Sequence, residues 1–166
     1  KHFDMICGTS IGGIIALGLA KGLTAREILQ TMLTHRLTIF PKKTSWLTNI
    51  ERLFHPLYKS QPLEDVLELL FQAATIGELD KYVLVPAISL TNGQIRAFKT
   101  PHHPHLRTDH KLSLVDVALA TSAAPTYFPV HQIENERFVD GGLAANSPVL
   151  MGLVEAQYYL GRSLSD

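Results

Sequence analysis

Residues Gly8-Thr9-Ser10-Ile11-Gly12-Gly13 constrain the fold more than any other stretch of this chain. They follow Phe3-Asp4-Met5-Ile6-Cys7 and lead into Ile14-Ile15-Ala16-Leu17-Gly18-Leu19-Ala20. The pattern predicts a buried strand, a glycine-flanked serine and a buried helix. The G-x-S-x-G spacing of Gly8, Ser10 and Gly12 is that of a nucleophile elbow, a sharp strand-to-helix turn that exposes the serine hydroxyl. Glycines suit the flanks of a strained serine, because a Cβ there would collide with its neighbours. The helix start adds unpaired N–H groups and a positive dipole end, both favourable to a developing oxyanion. The alternative is a glycine-rich turn used for close packing or for phosphate. A Walker A loop would need Gly-Lys-[Ser/Thr] at the helix start, and Gly12-Gly13-Ile14 lacks it. A dinucleotide loop would want glycine where Ser10 stands.

The chain of 166 residues is one domain long and can bury a real core. Its formal net charge of zero gives no global electrostatic case for nucleic acid or an anionic membrane. The single cysteine, Cys7, rules out an internal disulfide and is compatible with a reducing compartment. The longest apolar run, Ile11 to Ala20, is too short to span a bilayer. A cytoplasmic location is expected, peripheral at membranes. The chain begins at Lys1 and enters the candidate serine strand almost at once. Such strands usually have earlier strands beside them, so an N-terminal strand is expected to be missing.

Further along, Lys21-Gly22 predicts the end of the first helix, and Thr24-Ala25-Arg26-Glu27 has the form of a capping box opening a second, through about Thr34. Leu37 to Lys59 has no clear period and reads as a long loop or lid with short helical pieces. Lys42, Lys43 and Arg52 with Trp46 and Phe54 would suit a lipid interface, and ordinary helix packing is the alternative. Pro62 marks a helix start, with Leu63, Val66, Leu67, Leu69, Leu70 and Phe71 as its apolar face. Tyr82 to Leu90 predicts a buried strand, turned at Thr91-Asn92-Gly93 into a partner over Gln94 to Lys99. Ser113-Leu114-Val115-Asp116 is a second capping-box pattern, and Ala123-Ala124-Pro125 stops its helix. Short strands follow at Val130 to Ile133 and Arg137 to Val139, then a turn at Asp140-Gly141-Gly142 and a last helix from Ser147-Pro148 to about Leu160. Alternating apolar strands and helices argue for α/β.

A serine needs a base. In the α/β-hydrolase order the histidine follows the acid, and no histidine here follows Asp140. Asp140 is nevertheless the best acid: it ends the apolar Phe138-Val139 and precedes two glycines, so its carboxylate can approach another group closely. An ordinary Asp-Gly-Gly turn is the alternative. A carboxylate within hydrogen-bond reach of the serine would act directly as general base. His102, His103, His105 and His110 sit in a proline-broken stretch and read as a surface loop near the site mouth rather than a metal site.

Gly8-Thr9-Ser10-Ile11-Gly12-Gly13 together with Asp140-Gly141-Gly142 resembles the patatin-like phospholipase family, which uses a Ser-Asp dyad. Ala120-Thr121-Ser122-Ala123-Ala124-Pro125-Thr126-Tyr127-Phe128 is similar to the family's segment before its aspartate, and Asn146-Ser147-Pro148 to the Asn-x-Pro after it. The Lys99-Thr100-Pro101-His102-His103 stretch resembles bacterial members, including effectors of nucleotide-signalled antiviral defence. The resemblance implies a three-layer α/β/α sandwich with a central, mostly parallel sheet, and makes residues 1–166 one catalytic domain truncated at its N-terminus. It implies Ser10 as nucleophile, Asp140 as base, and Gly8, Gly12, Gly13, Gly141 and Gly142 as motif glycines. It implies hydrolysis of a carboxylic ester of a membrane phospholipid or other acyl lipid through an acyl-enzyme, with no metal or diffusible cofactor. The family's glycine-rich oxyanion loop, G-G-G-x-R/K-G, has no match here. Losing one oxyanion donor costs roughly 100- to 1000-fold in rate. Two other functions stay open: a non-catalytic lipid- or nucleotide-responsive module on this fold, and a soluble-ester or thioester hydrolase on the same dyad.

Overall fold

The computed structural model describes residues 3–41 and 56–163. The segment with Lys42, Lys43, Trp46, Arg52 and Phe54, expected as a lid or lipid-facing loop, lies outside the described residues. The described elements are β1 (Met5–Cys7), α1 (Ile11–Ala20), α2 (Ala25–Ile39), α3 (Gln61–Phe71), a 3-10 turn (Ile76–Glu78), β2 (Tyr82–Ser89), β3 (Gln94–Lys99), α4 (Leu114–Ser122), β4 (His131–Ile133), β5 (Glu136–Asp140), α5 (Gly142–Ala145) and α6 (Val149–Tyr159).

Local chemistry sets most boundaries. α1 closes on Gly22, at φ 95°, with Leu23 N–H bonded to Gly18 C=O and Gly22 N–H to Leu19 C=O, the paired bonds of a Schellman cap. Thr24 caps α2 as a reciprocal capping box with Glu27. α2 continues to Ile39, five residues past the predicted end, because Ile39 is buried in the core. In α3 the apolar face is Leu63, Val66, Leu67, Leu70 and Phe71; Leu69, expected among them, points to solvent at 64% exposure. Ser113 caps α4 by accepting Asp116 N–H.

β2 is the central strand. Its Leu84–Ser89 edge pairs antiparallel with β3. Its other edge is shared end to end: β1 runs parallel along Tyr82–Leu84, and β5 runs antiparallel along Ala87–Ser89. β4 pairs with β5 beyond. The expectation of a mostly parallel sheet therefore holds only for β1 with β2. The β2–β3 and β4–β5 connections are short hairpin turns, which join antiparallel strands, whereas β1 reaches β2 by a long crossover through helices. Helices cover both faces, so the α/β sandwich stands. Val83, Val85 and Ala87 face the core with α1, α3 and α4, while Cys7 on the opposite face touches Gly152 of α6. Among the described residues no helix is long and apolar enough to cross a membrane.

Candidate functional site

The shared edge of β2 builds the site. β1 ends opposite Leu84 and β5 ends opposite Ala87, so their C-terminal ends converge on Val85-Pro86. Pro86 suits that gap: it lacks the N–H that would be left unpaired between two strand ends. Ser10 follows β1 and Asp140 closes β5. Residues 130 positions apart thus meet, and the Ser10 hydroxyl donates to Asp140 Oδ2 at 2.5 Å.

Ser10 sits at φ 57° and ψ −128°, a region that side-chain-bearing residues rarely adopt. Gly8 allows this turn: a Cβ on it would lie 2.0 Å from Gly12 carbonyl oxygen. A Cβ on Gly13 would lie 2.8 Å from Thr121 Cγ2. Gly12 differs from the expectation, since nothing lies within 4 Å of where its Cβ would be. On the other side, Gly141 packs against β2 so tightly that a Cβ would lie 2.3 Å from the Pro86 carbonyl oxygen. Gly142 donates its N–H to Asp140 Oδ1 at 2.7 Å. Asp140 is 7% exposed and accepts one bond on each carboxylate oxygen, from Ser10 and from Gly142. Its backbone N–H donates to Ala123 C=O.

This arrangement can transfer the serine proton directly to a carboxylate. The N–H groups of Gly13 and Ile14 both bond to Ser10 C=O, while those of Ile11 and Gly12 have no acceptor among the described residues. They are free donors at the start of α1. Ile11 and Leu143, each next to a residue of the Ser10–Asp140 pair's turns, are exposed apolar side chains. The loop leaving Ala123 carries Tyr127 and Phe128 into a ring cluster with Phe40 and Tyr58.

The histidine stretch does not join this site. His102 bonds to Thr100 and Glu155, and His110 to Arg107 C=O. Among the described residues no three His, Cys, Asp or Glu side chains are arranged to hold a metal ion. Sequence reasoning missed Thr121 and Thr9. Thr121 Oγ1 accepts the Ser10 N–H, and Thr9 Oγ1 donates to Ala145 C=O. Thr121 falls in a motif-like segment, but residue order gives its hydroxyl no task.

Residues 1–153 match the family model described as Patatin-like phospholipase. The chain is 46% identical over 157 residues to the cGAMP-activated phospholipase of Escherichia coli (strain TW11681), covering 93% of this chain and 44% of that protein. It is 42% identical over 163 residues to the protein of that description from Vibrio cholerae, covering 93% and 46%. The chain thus spans less than half the length of these curated relatives. Its fold resembles VipD from Legionella pneumophila, with a TM-score of 0.53 at 13% identity, over 84% of this chain and 40% of that one.

Proposed function

This chain belongs to the patatin-like phospholipase family, and on that footing we propose that it hydrolyses carboxylic esters of phospholipids with Ser10 as nucleophile and Asp140 as general base. The observation that carries the reading is the 2.5 Å bond from Ser10 Oγ to Asp140 Oδ2 at a turn of positive φ. In the first half-reaction Ser10 Oγ attacks the ester carbonyl carbon while its proton passes to Asp140. The tetrahedral oxyanion collapses, the C–O bond to the leaving alcohol breaks, and the alcohol takes the proton. In the second half a water attacks the acyl-serine carbonyl carbon as its proton goes to Asp140; the intermediate then collapses, the bond from that carbon to Ser10 Oγ breaks, Asp140 returns the proton to Oγ, and the fatty acid leaves. The free N–H groups of Ile11 and Gly12 lie on the element that follows the nucleophile, which suits them to the oxyanion. Exposed Ile11 and Leu143 favour an acyl-bearing substrate over a charged soluble one.

The relatives' description as cGAMP-activated supports a cyclic dinucleotide as the activator. The test is release of fatty acid from phospholipid vesicles by the full-length protein, with and without cGAMP. Ser10→Ala and Asp140→Asn should each lower it by about 10⁴-fold or more, the scale on which loss of a nucleophile or its base is felt. A fluorophosphonate should label Ser10 in the wild-type protein. Near-normal release from either variant overturns the dyad, and a folded wild-type protein that fails to label favours a non-catalytic module.

A further inference from the structure

Thr121, one residue from the C-terminal end of α4, is fully buried and bonded to three separate parts of the site. Its Oγ1 donates to the Pro86 carbonyl oxygen at 2.6 Å and accepts the Ser10 N–H at 3.0 Å. Its own carbonyl accepts the Gly141 N–H at 3.3 Å, and its methyl fills the space beside Gly13. One residue therefore touches the turn of the serine, the gap in β2 and the turn of the aspartate.

The direction of these bonds is forced. The Pro86 carbonyl can only accept, so the threonine hydroxyl must donate to it, and a lone pair is left for the Ser10 N–H. That N–H is thereby committed to the scaffold and is not a donor for an oxyanion. The bond also opposes relaxation of Ser10 out of φ 57°, a strained conformation that persists only where surroundings over-determine it. A small rotation of that backbone would swing Oγ away from Asp140 Oδ2. Valine at this position keeps the shape but leaves a buried N–H and a buried carbonyl without their bond.

We propose that Thr121 is a positioning residue, its hydroxyl pinning the Ser10 backbone to β2 so that Oγ stays on Asp140. This rests on the Ser10–Asp140 reading above. Thr121→Ser and Thr121→Ala lose the same methyl and differ in the hydroxyl alone, while Thr121→Val restores bulk without the hydroxyl. In the full-length protein, kcat and KM on phospholipid vesicles, the rate of fluorophosphonate labelling and the thermal midpoint are measured for each. We expect T121S to stay within about threefold of wild type in kcat, and T121A and T121V to fall by about 100-fold with KM little changed, as for a reacting group displaced by about 1 Å. Labelling rates should fall in the same order, with T121S and T121A both still folded at the assay temperature by their thermal midpoints. Equal kcat for T121A and T121S, or wild-type kcat for T121V, overturns the proposal even if T121V folds poorly, because the Ala–Ser pair still isolates the hydroxyl. A wild type that releases fatty acid while S10A also does so overturns the dyad reading instead.

Discussion

Gly8 and Gly12, four residues apart, do different jobs around Ser10. A Cβ on Gly8 would meet the Gly12 carbonyl at 2.0 Å, closer than any side chain tolerates, so the elbow cannot form around alanine there. Gly12, in the first turn of α1, has open space at the same position and a negative φ. Gly8→Ala should therefore abolish fluorophosphonate labelling of Ser10, or prevent folding altogether. Gly12→Ala should fold and gain stability by about 0.5–1 kcal/mol from helix propensity, read from urea midpoints. A G12A protein less stable than wild type would mean that its open space is filled in the working protein. The serine, the aspartate and their glycines can all be named from residue order, because strained turns demand glycine and the demand shows in the sequence. Which glycine is tight and which is open cannot, since that depends on the carbonyl of Gly12 and the strand at Pro86 coming close in space.

At the scale of elements, α6 is expected as a helix from Ser147-Pro148, but its anchor is not. Val149, Leu150, Leu153 and Val154 are exposed, and its inward contacts include Gly152 against Cys7, the buried Glu155, and Tyr159 beside His102, His103 and Lys99. Glu155, 3% exposed, holds the helix to the sheet by accepting from Lys99 Nζ at 2.5 Å and pairing with His102 Nε2 at 2.9 Å. His102 is locked in turn by Thr100. Breaking a buried pair by removing one charge is costly, because the partner is left uncompensated. Glu155→Gln should lower stability by about 3 kcal/mol, read from urea unfolding. It should also make Cys7 more reactive to iodoacetamide near neutral pH, because the Cys7 thiol is pushed up mainly by burial and further by the Glu155 charge. Unchanged stability in E155Q would show that α6 is held by apolar contact alone. Residue order finds this helix, from Ser147-Pro148, and the capping patterns at Thr24 and Ser113 announce two others. It does not find Glu155 as an anchor: a lone acid in an apolar helix reads as solvent-facing until Lys99 and His102, 56 and 53 residues away, are seen beside it.

For the molecule as a whole, topology is where order along the chain says least. The hairpin at Thr91-Asn92-Gly93 is legible, but nothing local reveals that β1 and β5 share one edge of β2, and that sharing is what creates the site. The same long-range pairings set how the fold responds to pH. Asp116, on α4, is held below the usual carboxylate range chiefly by the hydrogen bond from His131 on β4, with Ser113 adding to it. Glu27 and Glu78 are lowered by the N–H groups of the residues they cap, Thr24 and Thr75. A carboxyl lowered in the folded state binds its proton less well there than when unfolded. Its contribution is complete above the unfolded value, about 4, and is lost as pH falls through the folded one. Cys7 is raised, so its contribution has the opposite sense: complete below the ordinary thiol range and lost as pH climbs through the folded value. These groups should thus make stability fall as pH drops below about 4 and again as it climbs beyond the ordinary thiol range. Urea midpoints of the wild type and Asp116→Asn across this range separate the acid limb. The variant should be less stable at pH 7 by about 0.5–1 kcal/mol, a modest figure because the Asp116 side chain is 43% exposed and solvent screens the pair. The gap should close below about pH 3, where the wild-type carboxyl is itself protonated and both chains present a neutral group to His131. A gap that persists unchanged into acid would mean that the charge on Asp116 contributes nothing and only its shape is needed between α4 and β4.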